Sequence, residues 1–142
     1  MLRLVAFIAA HALLARLLPA PWSVPNLTLI GLMQTGGASP GRWLPLALIA
    51  GLSSAMWAAR GSGALLVSYL VVGACVRLIS GGFDTAEPRV QSLLAAILCV
   101  PLTTAWLWLD GHWSWTLAGW SFTHMSLTAV AALLLQRRVV GG

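Results

Sequence analysis

The chain has 142 residues, of which 59% are hydrophobic and 8% are charged. A soluble globular domain carries about 25% charged residues, so a soluble fold of this size could not cover its surface with polar side chains. The net charge of +5 comes from arginines that stand singly between apolar runs, as topology signals of membrane proteins do. The composition therefore indicates an all-α integral membrane protein and argues against a nucleic-acid partner.

The apolar stretches predict one membrane domain, residues 1–142, built as a polytopic bundle of about six transmembrane helices. The predicted spans lie near residues 2–19, 23–36, 43–59, 62–80, 90–109 and 115–136. We expect the first to be an uncleaved span, because its end lacks a signal-peptidase pattern. The second is short, which predicts either a tilted crossing or a re-entrant helix.

Charge and tryptophan positions predict the orientation of the bundle. If all six segments cross and the N-terminus is cytoplasmic, six arginines lie on the cytoplasmic side and two, Arg16 and Arg60, lie outside. This distribution favours cytoplasmic N- and C-termini. The six inner arginines are Arg3, Arg42, Arg77, Arg89, Arg137 and Arg138. Tryptophans collect at the outer ends, as an aromatic belt does, at Trp22, Trp57, Trp106, Trp108, Trp113 and Trp115.

Small residues recur every four positions in the third segment, at Ala47, Gly51 and Ala55, with Ser54 beside them. Small residues at this spacing let helix backbones approach closely. The pattern predicts a helix-packing face, which serves either the chain itself or a partner helix.

Two histidines, His11 and His124, lie near the middle of the first and sixth spans. Ionisable groups at that depth are costly and often functional. One interpretation makes them axial ligands of a haem or ligands of a chlorophyll. The other is a neutral histidine hydrogen-bonded inside the bundle, with Thr123, Ser126 or Thr128 as nearby partners. We favour the second and expect no cofactor.

The remaining polar residues do not form a catalytic or metal-binding set. Arg16 and Arg77 are expected to snorkel from the ends of their spans, the alternative being interior ion pairs. Cys75 and Cys99 are expected to be buried thiols. Asp110 and His112 share an outer loop without a nucleophile, and Asp84, Glu87 and Arg89 are expected to be solvated. The sequence thus predicts no catalytic residue, no metal site and no enzyme activity.

Between Pro25 and about Ser80 the chain resembles the bacterial rod shape-determining protein MreD family. The matching motifs are PNLTLIGL (25–32), SPGRW (39–43), IAGLSSAMW (49–57) and GALLVSYLVVG (63–73). The residues that carry the resemblance are Pro25, Asn26, Leu27, Gly51, Leu52, Tyr69 and Gly73. The family usually has an Asp just after its Gly-Leu motif, where this chain has Ser53, Ser54 and Ala55.

The resemblance implies a non-enzymatic scaffold or adaptor in the bacterial cytoplasmic (inner) membrane. It implies partners in the machinery of lateral cell-wall elongation and rod shape: an MreC-like bitopic protein, the actin-like MreB and the peptidoglycan synthases. The MreD family is also similar in architecture to the substrate-binding components of energy-coupling-factor transporters.

Two other functions stay open at this point. The first is a small-molecule-binding component of a transporter, which would use a polar cavity formed by residues 26–28, Tyr69 or Asp110. The second is an accessory subunit of a redox or photosynthetic complex, which would use His11 or His124.

Overall fold

The computed structural model describes residues 1–18, 23–38, 40–57, 62–83, 87–109 and 114–140. Within these ranges the chain forms six α-helices, 3-10 conformation at Ser23 and at Pro40–Arg42, and no strand. The helices are α1 (Leu2–Leu17), α2 (Leu27–Ala38), α3 (Trp43–Trp57), α4 (Ser62–Ser80), α5 (Pro88–Leu109) and α6 (Trp115–Val140). The prediction of an all-α chain is confirmed. Asp84, Asp110, His112, Arg60, Trp22 and Trp113 lie outside the described residues, as do the side chains of Trp57, Trp106, Trp108, Arg137 and Arg138.

The second helix is where the bounds differ most from the sequence prediction. α2 begins at Leu27 and not at residue 23, because residues 24–26 form a non-helical approach that ends at Asn26. With 12 residues, α2 is about 18 Å long. That is well short of the hydrocarbon core of a bilayer, which is about 30 Å thick.

α3 and α4 run antiparallel, as the close approaches at their glycines show. A Cβ atom on Gly73 of α4 would lie 2.6 Å from the Cβ of Ala47 on α3. One on Gly51 of α3 would lie 3.2 Å from the Cα of Leu66 on α4. Ala47 pairs with Gly73, and Gly51, later on α3, pairs with Leu66, earlier on α4. The two helices therefore point in opposite directions. Gly31 of α2 packs on Phe7 of α1 in the same manner, with 2.8 Å to the Phe7 Cβ.

α2 is the centre of the bundle and contacts each of the other five helices. Its side chains at Leu29, Ile30 and Leu32 are fully buried. The surrounding helices contribute one face each to this core and leave large apolar side chains exposed on the opposite face, such as Val71 on α4 and Val130 on α6. The most hydrophobic residues are therefore distributed both inside and outside the bundle.

Two helices are long and apolar enough to cross a membrane, over residues Gly63–Ser80 in α4 and Ala118–Leu135 in α6. Only 28% of the first window and 11% of the second are buried inside the protein. A core helix of a soluble protein with the same composition would be mostly buried, so the apolar faces of α4 and α6 need an apolar environment outside the chain. Six crossings stay a prediction.

We expect Gly73→Ala to destabilise the protein by about 1–3 kcal/mol, because the added methyl group forces α3 and α4 apart. Gly63→Ala, on the same helix, is the matched control: nothing lies within 4 Å of a Cβ at that position. The control is expected to be neutral or slightly stabilising. The measurement is the free energy of unfolding of both variants in mixed detergent micelles. Equal stability of the two variants would contradict the close approach of α3 and α4.

Candidate functional site

The start of α2 is built on Asn26, the residue that precedes the first helical turn. The first N–H groups of a helix have no acceptor within the helix. The side-chain Oδ1 of Asn26 accepts a hydrogen bond from the backbone N–H of Leu29 at 3.0 Å, which is the arrangement of an asparagine N-cap. The Pro-Asn-Leu motif therefore begins a helix.

Tyr69 and Thr128 hold the capping residue from two other helices. The Tyr69 hydroxyl, on α4, donates to the same Asn26 Oδ1 at 3.2 Å. The Asn26 backbone N–H donates to Thr128 Oγ1, on α6, at 2.9 Å. Asn26, Tyr69 and Thr128 are 8%, 4% and 0% exposed, so these hydrogen bonds form away from solvent, where leaving a polar group unpaired costs most.

The remaining helices reach the same point through one further contact each. His11 Nδ1, on α1, lies 3.2 Å from the Pro25 carbonyl oxygen and carries the donated proton, because a carbonyl oxygen can only accept. Ser54 on α3 is a second hydrogen-bond partner of the Tyr69 hydroxyl. Cys99 on α5 donates to Thr128 Oγ1 at 3.8 Å. We call these residues the Asn26 network: His11, Asn26, Ser54, Tyr69, Cys99 and Thr128.

The network lies at some depth inside the bundle. At about 1.5 Å per residue, Tyr69 is about 10 Å from the start of α4 and Thr128 about 20 Å from the start of α6. α2 therefore begins between the ends of its neighbours and not level with them. A non-helical approach at such a depth is stable only when its polar groups are satisfied by the protein, and the network supplies those partners.

The structure brings some of the predicted site residues together and separates others. Asn26 and Tyr69, both from the family resemblance, are in direct contact. Ala47 and Gly51 face α4, so packing within the chain accounts for this part of the small-residue face. Ala55 is half-buried, while Leu52 points outward with an exposed side chain.

The two predicted cofactor ligands have different surroundings. His11 uses Nδ1 to donate to the Pro25 carbonyl oxygen, a hydrogen bond inside the bundle, although its partner is not one of the predicted Thr123, Ser126 and Thr128. The His124 carbonyl oxygen accepts a hydrogen bond from Thr128 Oγ1 at 2.8 Å, and His124 takes part in at least one other interaction. Among the described residues no group of three or more His, Cys, Asp or Glu side chains is arranged to hold a metal ion.

Sequence reasoning missed the capping role of Asn26, although a signal was present. An asparagine directly before an apolar run is a common helix start, and Asn26 precedes Leu-Thr-Leu-Ile. The contact between Asn26 and Thr128 had no comparable signal, because 102 residues separate the two positions.

Comparisons of the chain with protein-family models, with curated proteins and with solved structures gave no match. The resemblance to the MreD family therefore stays a prediction from the sequence. The structure adds the spatial arrangement of the residues that carry it, with Asn26 against Tyr69 and Gly51 and Gly73 between α3 and α4.

We expect Asn26→Ala to destabilise the protein by about 2–4 kcal/mol, because it removes the cap, leaves the Leu29 N–H unpaired and takes away the acceptor of the Tyr69 hydroxyl. Tyr69→Phe is expected to cost about 1 kcal/mol. In the double variant the loss should be smaller than the sum by about 1 kcal/mol, because both changes remove the same hydrogen bond.

The measurement is a double-mutant cycle on the free energy of unfolding in detergent micelles. Ser80→Ala, which removes an exposed hydroxyl, is the control and should change stability by less than about 0.5 kcal/mol. Strict additivity of Asn26→Ala and Tyr69→Phe would argue against the contact between the two side chains.

Proposed function

We propose that this chain is a non-enzymatic scaffold subunit of the bacterial cytoplasmic membrane, similar to MreD, that acts in the cell-wall elongation machinery. In this proposal all six helices cross the bilayer and both termini are cytoplasmic. The work of the protein is to hold other membrane proteins of the machinery, such as an MreC-like bitopic partner and the peptidoglycan synthases, through contacts in the membrane.

The observation that carries the proposal is the direct contact between Asn26 and Tyr69. These residues lie 43 positions apart in the chain and belong to two separate motifs of the family resemblance. In the fold the two motifs share one buried hydrogen bond. Gly73, in the same motif as Tyr69, packs against α3.

After the Gly-Leu motif this chain has serines where the family has an Asp, and the contacts of these serines suggest what the replacement does. Ser54 stands in the segment where the family has an Asp and is a hydrogen-bond partner of Tyr69. Ser53 instead bonds back to the Ala50 carbonyl oxygen of its own helix at 2.9 Å. A neutral hydroxyl supports Tyr69 without placing a charge inside the bundle, where a charge is expensive.

The distribution of apolar side chains supports the placement in a membrane. Exposed large apolar residues occur on α1, α3, α4, α5 and α6. Lipid or the apolar helices of partners can cover such surfaces, whereas water cannot without a large free-energy cost. The short α2 is shielded from lipid by the other helices, so its length need not match the bilayer.

The same contacts weigh against a transporter component that binds a small polar molecule. Asn26 and Tyr69, the groups that such a site would use, hydrogen-bond to each other and to the start of α2. A ligand would have to replace these bonds and leave the helix start uncapped. This observation favours a scaffold whose polar groups hold the bundle together.

The test is affinity purification of the tagged full-length chain from native membranes after mild solubilisation, followed by mass spectrometry. We expect enrichment of an MreC-like protein and of wall synthases over a control membrane protein carrying the same tag. Gly63→Ala should retain these partners. Enrichment of a transporter ATPase without any wall-elongation protein would refute the scaffold proposal.

A further inference from the structure

Three arginines gather at one end of the bundle. Arg42 immediately precedes α3, Arg77 lies in the last turn of α4, and Arg89 is the second residue of α5. All three side chains are exposed. We call Arg42, Arg77 and Arg89 the basic rim.

Because α3 and α4 run antiparallel, the arginines of the basic rim lie at the same end of the bundle. A Cβ atom on Gly73 would lie 3.4 Å from the Trp43 ring, so the start of α3 is level with the last turns of α4. Arg42 is the residue before Trp43, and Arg77 is one helical turn beyond Gly73. α5 begins at Pro88, eight positions after the last residue of α4, and packs against α4, so Arg89 lies at the same end. Arg3, at the start of α1, belongs to the same end, whereas Arg16 lies at the opposite end of α1.

The sequence places four arginines at this end, counting Arg3, against two acidic residues, Glu87 and Asp84, of which Asp84 lies outside the described residues. Glu87 is the one acidic residue in the described ranges, and its side chain is exposed. Next to the rim lie two exposed apolar side chains, Leu78 and Phe83. A surface with cationic groups beside apolar ones matches the boundary between phosphate headgroups and acyl chains.

We propose that the basic rim binds the phosphate headgroups of anionic phospholipids in the cytoplasmic leaflet. The inference rests on the membrane placement in the proposed function and not on the identity of any protein partner. A guanidinium group can donate two parallel hydrogen bonds to one phosphate, and Leu78 and Phe83 contact the acyl chains of the same lipids. The rim thereby fixes the depth of α3, α4 and α5 in the bilayer.

The test is native mass spectrometry of the full-length chain in neutral detergent micelles, titrated with phosphatidylglycerol or with phosphatidylcholine of the same acyl chains. We expect tighter retention of phosphatidylglycerol. Replacing all three rim arginines by glutamine should weaken its binding by about a hundredfold, or about fivefold for each arginine, and leave phosphatidylcholine binding unchanged.

Two further variants test whether the loss of binding is caused by the lost charge at the rim, and not by misfolding or by the loss of any arginine. The triple Arg→Lys variant keeps the charge and should keep most of the preference for phosphatidylglycerol. Arg16→Gln, which removes one charge at the opposite end, should leave the preference intact. Inorganic phosphate, which lacks acyl chains, should not displace the bound lipid.

Equal retention of the two lipids by the wild-type chain would overturn the inference, as would an unchanged preference in the triple glutamine variant. Displacement of the lipid by inorganic phosphate at comparable concentration would indicate a soluble anion as the ligand and would also overturn it. None of these results depends on whether the chain acts in cell-wall elongation.

Discussion

The bundle depends on how the polar start of α2 is satisfied inside an apolar environment. A helix that begins at a protein surface can leave its first N–H groups to water. α2 begins at Asn26, between the ends of its neighbours, where its partners must come from the protein. Asn26 Oδ1 accepts from Leu29 and Tyr69, while the Asn26 N–H donates to Thr128. Each of these bonds ties α2 to its own turn or to another helix.

The need to pair the polar groups at the start of α2 also accounts for residues on the other helices. The Pro25 carbonyl oxygen, which lies outside the helix, accepts from the Leu27 N–H at 2.8 Å and from His11 at 3.2 Å. Ser54 and Cys99 extend the network to α3 and α5. Small residues at Gly31, Gly51 and Gly73 let the helices approach closely enough for hydroxyl and amide groups to reach each other. Apolar packing alone would allow helices to slide or rotate, whereas directional hydrogen bonds among six helices favour one arrangement.

Much of the secondary structure could be predicted from the sequence, because long apolar runs separated by Gly- and Pro-containing turns leave few alternatives. α4 has the predicted bounds, and α3 has the predicted start. The prediction for α2 was wrong at its start, because hydropathy extends through residues 23–26 while the cap at Asn26 decides where the helix begins. The partners of Asn26 on α4 and α6 depend on helix rotation and depth, which local sequence does not encode.

In the candidate site, too, some features could be predicted from the sequence and others depend on the fold. His11 was recognised as unusual from its depth, but its hydrogen bond to Pro25 required the position of a neighbouring chain segment. The Ala47 and Gly51 spacing indicated helix packing, and the structure identifies α4 as the helix they meet. With the polar side chains of the network directed inward, the apolar outer faces and the basic rim are the surfaces that our proposals assign to lipids and other membrane proteins.

The central claim is that Asn26 joins α2 to α4 and α6 in a water-free interior. It is tested most directly by nuclear Overhauser effects from the Asn26 backbone amide in the selectively labelled, full-length protein in micelles. We expect cross-peaks from this amide to the Thr128 methyl group and from the Asn26 side-chain amide to the Tyr69 ring, with no exchange cross-peak to water. Rapid exchange of the Asn26 amide with water, together with no contact to Thr128 or Tyr69, would contradict the claim.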